Sequence, residues 1–386
     1  MTEAVIVSAV RTPIATSFKG TLRDTRAEQL AAAVVTAAVE RSGLAPDDVA
    51  DVIMAEELAG GGDIARYAAV AAGLLRAPGQ AINRHCAGSL TAVGNAAATI
   101  RAGMDRAVVA GGAHAASMNP RLSWRVPGSD ELVTGFAPTF PYYDGGNDDV
   151  VISVGHNTAL EVGITRAEMD AWALRSHDRA IRAIDAGVFA EEILELDVTL
   201  DGAPVRFSVD EHPRRGLTLD KLGTLAPLRD IDGCDITAGN SSGVNDAAAA
   251  LMVVADDLAV ERGLTTLATV RSWAAIGVEP HRAGMGGVEV IPLVLDRAGL
   301  QASDVALWEI NEAFASVPIA ACRKFGLDED RVNVHGSGCS LGHPVAASGA
   351  RMLTTLVHDL RRRGGGIGVA AMCAAGGQGG AVVVEV

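Results

Sequence analysis

Residues 39–50 read Val-Glu-Arg-Ser-Gly-Leu-Ala-Pro-Asp-Asp-Val-Ala, and residues 295–306 read Leu-Asp-Arg-Ala-Gly-Leu-Gln-Ala-Ser-Asp-Val-Ala. The two stretches keep one register throughout, so that Asp304 follows Asp48 by 256 residues. Each stretch closes a helical pattern with a glycine that precedes an apolar segment. Two matching blocks at one spacing predict a duplicated architecture within a single chain.

A second match at nearly the same spacing involves two reactive residues. Cys86 and His343 lie 257 residues apart, and each opens a small-residue helical pattern, 90–101 and 345–361. Each pattern leads into a Val/Ala-rich strand, 107–110 and 367–372. We therefore infer an α/β fold of two like halves, whose helix starts face one another at a central junction. A cysteine at a helix start is expected to favour the thiolate, because the helix N-terminus carries partial positive charge.

Three runs of small residues each contain one reactive side chain: Cys86 in 83–89, His343 in 338–344 and Cys373 in 372–377. Small neighbours leave backbone N–H groups free to approach an oxyanion, so the three residues are predicted to share one site. A thiol with an imidazole partner can be acylated, and a cysteine hydrolase would use that pair too. The second thiol favours an acyltransferase that makes or breaks carbon–carbon bonds, because a further acid/base must move the α-carbon proton.

The composition limits the possible functions. The chain has 386 residues, 49% of them hydrophobic, and a formal net charge of −15, which argues against binding nucleic acid or an anionic membrane. The first residues carry no basic segment followed by an apolar stretch, so a cytoplasmic protein is expected. Five widely spaced cysteines, with no zinc-like spacing, predict neither a disulfide scaffold nor a metal site.

Residues 119–242 interrupt the repeat. This insert contains a Pro- and Gly-rich loop at 136–146 and an amphipathic helical pattern at 166–186. It also contains Arg214 and Arg215 in an otherwise acidic chain, which are either a solvated surface pair or a clamp for phosphate groups.

Two further segments allow more than one interpretation. Asn311 follows the apolar strand pattern 305–310, where it either starts a helix or orients a water or carbonyl oxygen beside His343. Residues 336–342 follow a strand and precede a helix, as a dinucleotide-binding turn would. That interpretation fails because the next strand ends in Cys373 rather than near a ribose-binding acid.

These motifs, in this order, resemble the thiolase family, the acyl-CoA:acetyl-CoA C-acyltransferases. The resemblance runs from Ala4 to Glu385 and rests on four segments: 83–86, 311–314, 341–344 and the terminal cysteine with its glycine run. It implies a duplicated five-layered αβαβα fold with an inserted loop domain. The implied boundaries are 1–118 plus 243–268 for the N-terminal domain, 119–242 for the insert and 269–386 for the C-terminal domain. A homodimer or homotetramer is implied as well.

The resemblance also implies roles for single residues. Cys86 carries the acyl group, His343 activates it, and Cys373 is the acid/base for the α-carbon. Asn311 holds a water that forms one oxyanion hole with His343, and the backbone N–H groups of Cys86 and Ala375 form the other. Coenzyme A, a substrate rather than a cofactor, is expected to contact a further set of positions: Arg214, Ala238, Ser242 and Phe314.

The activity implied is the coenzyme A-dependent cleavage of a 3-ketoacyl-CoA, or the reverse condensation, through an acyl-cysteine. A short-chain acetoacetyl-CoA thiolase and a non-catalytic acyl-CoA-binding protein of the same fold are the alternatives. A decarboxylating condensing enzyme is disfavoured by Cys373, where such enzymes generally carry a histidine. The chain departs from the family pattern at 87–89, at 283–287, at His114, where a glutamate is usual, and at Ser337 and Cys339.

Overall fold

The computed structural model describes residues 2–57, 62–135 and 149–386. The loop predicted at 136–146 lies outside the described residues. Within them, the strands are β1 (Ala4–Arg11), β2 (Ala15–Thr16), β3 (Asp51–Ala55), β4 (Gly79–Ile82), β5 (Ala107–Ala115), β6 (Ser123–Arg125), β7 (Leu132–Thr134), β8 (Leu196–Leu200), β9 (Ala203–Phe207), β10 (Asn245–Ala255), β11 (Ala268–Gly277), β12 (Val305–Ile310), β13 (Ile367–Ala374) and β14 (Gln378–Glu385).

Ten of these strands form one sheet, in which four strands on one side of the centre repeat the arrangement of four on the other, while β4 and β2 have no counterpart. The order is β12-β13-β14-β11-β1-β10-β5-β3-β4, with β2 beside β10. The pairs toward the two edges, β12–β13, β3–β5 and β3–β4, are parallel, and the inner neighbours are antiparallel. The two half-sheets meet where β1 pairs β11 over only two residue pairs, Val5↔Thr269 and Ile6↔Ala268. The duplication predicted from the sequence is thus visible in the topology.

The helices lie on both faces of each half-sheet. Central strands such as β1, β5 and β10 are buried along their whole length, as strands covered on both faces must be. The helices are α1 (Ala27–Ser42), α2 (Ile64–Ala71), α3 (Gly88–Arg101), α4 (Asn157–Val162), α5 (Arg166–Asp185), α6 (Leu219–Gly223), α7 (Asp256–Arg262), α8 (Ala283–Ala298), α9 (Ser316–Phe325) and α10 (Ser348–Arg362).

The packing of these helices produces five layers. Helices α1 and α2 cover the outer face of the first half-sheet, and α8 covers that of the second. Helices α3 and α10 contact each other and strands of both halves, so they form the central layer. This order of helix, sheet, helix, sheet and helix confirms the predicted five-layered α/β fold.

The repeat holds at the level of single residues. Helices α1 and α8 begin 256 residues apart, and each ends at a glycine, Gly43 or Gly299, with φ of 77° or 68°. A short 3₁₀ turn then follows in both halves, Pro46–Asp48 and Ala302–Asp304. The quoted stretches 39–50 and 295–306 are therefore equivalent segments that end one helix and lead into the next strand.

The two central helices begin at different distances from their reactive residues. Helix α3 starts two residues after Cys86, whereas α10 starts five residues after His343. The predicted start at 345 is too early, because Pro344 first turns the chain: its carbonyl accepts bonds from the backbone N–H groups of Ala347 and Ser348. His343 therefore lies a full turn outside its helix.

Each half places its reactive loop on a strand of the other half. Ala87, next to Cys86, packs on Gly380 of β14, where an added Cβ would lie 2.9 Å from the Ala87 Cβ. Ala346, just after His343, packs on Gly112 of β5, where an added Cβ would overlap the Ala346 carbonyl oxygen. Larger residues at these two glycines would push the loops off the strands.

The insert is anchored to the first half by a buried ion-pair network. Arg11, at the end of β1, donates to both carboxylate oxygens of Asp210 at 2.8 and 2.9 Å and to Glu192 at 2.6 Å. All three side chains are fully buried, so the insert is fixed rather than tethered. Among the described residues, no helix is long and apolar enough to cross a membrane.

Candidate active site

Cys86 lies between β4 and α3 and is half-buried. The backbone N–H of Ala375 and that of Cys86 itself are directed at its thiol. Burial, the nearby Cys373 and the charge of Glu57 raise the pKa of Cys86 well above its ordinary value, despite those two N–H groups. The expected bias toward thiolate is therefore wrong for the free protein, because loss of water outweighs the two N–H groups.

Cys373 is the next-to-last residue of β13, beside the Cys86 thiol. It is 1% exposed and pairs with Gly379 of β14. Burial raises the pKa of Cys373 to about 12. At neutral pH its thiol is a proton donor, and it becomes a base only after it has given a proton away.

His343 is held by hydrogen bonds at both its backbone and its ring. Its backbone N–H donates to Asn245 Oδ1 at 3.0 Å, and its Nδ1 lies 2.6 Å from Ser348 Oγ. The Ser348 hydroxyl donates to the Pro344 carbonyl at 3.0 Å, so it must accept from Nδ1–H. This assigns the proton to Nδ1 and leaves the lone pair on Nε2.

The electrostatic surroundings keep that ring neutral. Burial, His114 and Arg351 lower the pKa of His343 to about 3, against the opposing charge of Glu57. A neutral imidazole with its lone pair on Nε2 can accept a proton from a thiol, which is the role predicted for His343.

Asn311 follows β12 and lies against the His343 ring, as its position after the strand predicts. Its Nδ2 is 3.5 and 3.4 Å from the two ring nitrogens, and its backbone N–H donates to Ala371. Its Oδ1 is buried and has no hydrogen-bond partner among the described residues. An unsatisfied buried acceptor beside a base suits a ligand or water that donates a hydrogen bond.

The loop that carries His343 rests on the carboxylate of Glu312, the residue after Asn311. This carboxylate accepts four hydrogen bonds, from Trp172 Nε1, Ser176 Oγ, Asn333 Nδ2 and the backbone N–H of Cys339. The Cys339 thiol donates to the Glu312 carbonyl at 3.6 Å, and burial raises its pKa well above the ordinary value. Cys339 is thus a packed residue of this loop.

The departure at Ser337 has a partner in α10. Ser337 Oγ accepts from Arg351 Nη2 at 2.9 Å, and Arg351 Nη1 is 3.0 Å from Glu309 Oε2. The pKa of Glu309 is raised to about 8, because burial outweighs its pairing with Arg351. These contacts connect β12, the histidine loop and α10 behind the site.

The residues expected to contact coenzyme A lie on three loops, which precede α6, β10 and α9. Ser242 is half-buried and donates its backbone N–H to Ala313, one residue before the buried Phe314, while Ala238 is exposed. His212, two residues before Arg214, lies where a Cβ on Gly243 would touch its ring. Arg214, Ser242 and Phe314 therefore belong to one region, next to the histidine loop.

The structure distinguishes the two arginines of the insert. Arg215 is paired with Asp185, so its charge is neutralised. Arg214 is exposed, and its guanidinium makes no ion pair with any described residue. Its backbone N–H donates to His177 Nδ1 at 3.1 Å, which fixes the chain while leaving the side chain directed outward.

Several residues of the site were not found from the sequence. Ser348 and Asn245, which orient His343, are ordinary polar residues in small-residue segments. Glu57 belongs to no motif, and His85 lies within the 83–86 segment but has no role predicted from the sequence. Only the spacing of Ser348 from His343, within the first turn of the predicted helix, offered a signal.

Comparison with known proteins identifies the family. The chain matches the family model of the thiolase N-terminal domain over residues 4–257 and that of the thiolase C-terminal domain over residues 264–386. It belongs to the thiolase family.

Individual thiolases match over the whole chain. An acetyl-CoA acetyltransferase of Cupriavidus necator is 40% identical over 402 residues, covering 100% of both chains. A 3-ketoacyl-CoA thiolase of Bacillus subtilis is 38% identical over 401 residues, again covering 100% of both. The crystal structure of the Bacillus anthracis acetyl-CoA acetyltransferase superposes with a TM-score of 0.92 at 36% identity, covering 100% of this thiolase and 99% of that chain.

Proposed function

We propose that this thiolase cleaves 3-ketoacyl-CoA with coenzyme A to give acetyl-CoA and a shortened acyl-CoA, and catalyses the reverse condensation. The observation that carries the proposal is the pair of thiols: Cys86 and Cys373 come from different halves of the sequence and adjoin, and the Ala375 N–H is directed at Cys86. A hydrolase needs only one thiol, whereas two acid/base steps at sulfur and carbon need a second.

The first half-reaction forms the acyl-enzyme. His343 Nε2 accepts the proton of Cys86, and the sulfur attacks the 3-keto carbon of the substrate. The bond between C2 and C3 then breaks, its electron pair moves to C2, and Cys373 protonates C2 to release acetyl-CoA. The acyl group remains on Cys86 as a thioester, and Cys373 remains as a thiolate.

The second half-reaction transfers the acyl group. The Cys373 thiolate takes the proton of incoming coenzyme A, whose sulfur attacks the thioester carbonyl. The carbon–sulfur bond to Cys86 breaks, and the imidazolium of His343 returns the proton to the Cys86 sulfur. We propose that the N–H groups of Cys86 and Ala375 stabilise the thioester oxyanion, and that Asn311 with His343 stabilises the oxygen of the acetyl unit.

An assay with two substrates tests this function. Purified protein is given free coenzyme A with acetoacetyl-CoA or with a longer 3-ketoacyl-CoA, and loss of the 3-ketoacyl thioester is followed. Turnover of both supports the broad activity, whereas turnover of acetoacetyl-CoA alone supports the short-chain alternative that the Cupriavidus necator relative's name favours. Tight binding with no turnover of either would leave the non-catalytic acyl-CoA-binding protein.

Mass spectrometry identifies the nucleophile in the same preparation. Incubation with an acyl-CoA should add one acyl mass to the peptide containing Cys86, and Cys86→Ser should remove that adduct and the turnover together. An acyl group found on Cys373 or Cys339 instead would contradict the assignment.

We further propose that Arg214 binds a phosphate of coenzyme A. Its exposed guanidinium is uncompensated, whereas Asp185 neutralises the neighbouring Arg215. Arg214→Ala should raise KM for coenzyme A roughly threefold to tenfold, as expected for a lost charged hydrogen bond. Arg215→Ala is the matched control and should change KM little. Equal effects of the two variants would contradict the assignment.

We propose a homodimer or homotetramer in the cytoplasm that uses acyl-CoA and coenzyme A as substrates, without a metal or a resident cofactor. Light scattering of the purified protein would distinguish the two assemblies from a monomer, and metal analysis of active protein would test the absence of a metal requirement.

A further inference from the structure

Two histidines near the site have no part in the steps above. His177 lies on α5, and His212 lies on the loop that precedes α6. Their rings stack with centroids 6.3 Å apart and planes inclined by 23°. His177 is 1% exposed and His212 is 7% exposed, so both rings are interior groups.

His212 holds the histidine loop through one edge of its ring. Its Nδ1 lies 2.8 Å from the backbone carbonyl oxygen of Ser340, three residues before His343. A carbonyl oxygen only accepts hydrogen bonds, so Nδ1 carries the proton and Nε2 carries the lone pair. His212 is therefore a hydrogen-bond donor to the loop that carries the proposed base.

The other edge of the His212 ring lies against the loop that precedes β10. A Cβ added to Gly243 would be 2.2 Å from His212 Nε2 and 3.1 Å from Asn245 Oδ1. Asn245 Oδ1 accepts the backbone N–H of His343. Gly243 also follows Ser242, which is expected to contact coenzyme A. A glycine at position 243 thus lets the ring pack closely on this loop.

His177 connects the pair of rings to Arg214. The Arg214 backbone N–H donates to His177 Nδ1 at 3.1 Å, so this nitrogen carries the lone pair. The helix that carries His177 also contacts the histidine loop, since Ser176 Oγ and Ser340 Oγ are 2.7 Å apart. The arginine proposed to bind a phosphate and the histidine loop are therefore connected through α5 and the two rings.

The two rings are uncharged at neutral pH. Burial, with the charges of His212 and Arg214, lowers the pKa of His177 to about 3. Burial also lowers the pKa of His212, and it outweighs the hydrogen bond to Ser340. The pair therefore contributes shape and directed hydrogen bonds, and it adds no positive charge beside Arg214.

We propose that His212 is a positioning residue that joins the histidine loop to the loop that precedes β10, and so holds His343 in register with bound coenzyme A. The proposal rests on His343 being the base of the proposed function. His212 acts through the Ser340 carbonyl and through Gly243 rather than on the substrate.

Kinetics of two variants test the hydrogen bond. His212→Leu fills much of the space and donates no hydrogen bond, whereas His212→Asn can present its Nδ2 where the imidazole has Nδ1–H. We expect His212→Leu to lower kcat roughly threefold to tenfold, the loss expected for one hydrogen bond, with KM for coenzyme A little changed. His212→Asn should recover most of the wild-type kcat.

His358→Leu is the matched control. His358 is also buried, and its Nε2 lies 3.2 Å from the Ala9 carbonyl oxygen, but it lies ten residues beyond Ser348 in α10. This variant should lower Tm, as His212→Leu does, and keep kcat near the wild-type value. An unchanged kcat in His212→Leu, no recovery in His212→Asn, or an equal loss of kcat in His358→Leu would overturn the proposal.

Thermal melts test the same contact without any substrate. Gly243→Ala should lower Tm in the wild-type protein, because the new Cβ meets the His212 ring. It should lower Tm less in the His212→Asn background, which lacks Nε2, so the two changes should not be additive. Additive shifts in Tm would overturn the link between the two loops. A wild-type protein that turned over neither substrate would contradict the proposed function instead, and the melts would still decide whether the link exists.

Discussion

The two halves of the molecule carry different reactive side chains just beyond the last residue pair of equivalent strands. In the first half, Glu57 and His114 lie two residues beyond the last pair of β3 and β5. In the second half, Glu312 and Cys373 lie two residues beyond Ile310↔Ala371, the last pair of β12 and β13. Both halves thus place a glutamate beside a second reactive residue at the same point of the backbone.

The two glutamates face different surroundings. The Glu312 carboxylate is buried among four donors that support the histidine loop, so it serves structure. The Glu57 carboxylate lies between two imidazoles, with Oε1 3.4 Å from His85 Nδ1 and Oε2 3.8 Å from His114 Nδ1, so it contacts the residue that precedes the nucleophile. Duplication has preserved the position of the carboxylate, and its function follows from the neighbours that each half supplies.

The largest expected effect on activity comes from Cys373, which is compared with His114 at the equivalent strand position of the first half. Cys373→Ser should lower condensation and thiolysis by roughly a hundredfold to ten-thousandfold, because the acid/base at C2 is lost. The variant should still be acylated at Cys86 by an acyl-CoA, as seen by mass spectrometry. His114→Ala, at the equivalent strand position, should lose less than about tenfold, because it touches no reacting atom. Equal losses would mean that the halves contribute alike.

The next largest effect is expected at Ser348, the first residue of α10, which is the central helix that orients the histidine. Ser348→Ala removes the acceptor of His343 Nδ1–H, so the ring loses the bond that fixes its tautomer. We expect kcat to fall by about tenfold or more with KM for coenzyme A little changed. A thermal melt beside the kinetics separates this effect from unfolding, and an unchanged kcat would contradict the orienting role.

The pH dependence of thiolysis tests how the first half acts on the histidine of the second. With a pKa of about 3, His343 stays neutral as the pH falls through 6.5, the ordinary value of histidine, so the base is not lost there. We expect kcat/KM to keep more than about half of its pH 8 value at pH 6. If kcat/KM instead fell to half between pH 8 and pH 6, His343 would be protonated near neutral pH in the substrate-free protein.

The smallest effect is expected at Ser89, in the first turn of α3. Its Oγ accepts the backbone N–H of Ala350 at 3.0 Å, so one central helix caps the other across the junction. Ser89→Ala should lower the free energy of unfolding by about 1 kcal/mol, since a buried N–H loses its partner. Urea unfolding measures this change. If Ser89→Ala lowered kcat as much as Ser348→Ala does, Ser89 would act on the site and not only on stability.

Much of the fold is predictable from the sequence, because the two halves repeat the same pattern of helices and strands. The repeat at 39–50 and 295–306 predicts equivalent helix ends, and the structure has them at Gly43 and Gly299. The apolar pattern 305–310 predicts a strand with the bounds that β12 has, since an abrupt change from apolar to polar residues marks its end. The start of α10 was misplaced because the Pro344 turn has no periodic pattern.

The site was predictable only in part, for a physical reason. Reactive residues within runs of small residues are conspicuous, so Cys86, His343 and Cys373 stood out. The ionisation of Cys86 was predicted with the wrong sign, because burial is a property of the packed molecule that local sequence does not encode. Asn245 and Glu57 are not predictable because each acts through a partner that only the tertiary structure brings near. Ser348 lies near His343 in the sequence, but nothing in its small-residue segment marks it as the partner of the ring.

The crossed contacts of Ala87 on Gly380 and Ala346 on Gly112 have a consequence for the origin of such a chain. Either half alone would hold its reactive loop against a surface that it does not possess. An ancestor made of one half would have needed a second copy of itself to complete the arrangement. Fusion of the two copies makes that partnership permanent, and it frees each copy to lose what the other supplies.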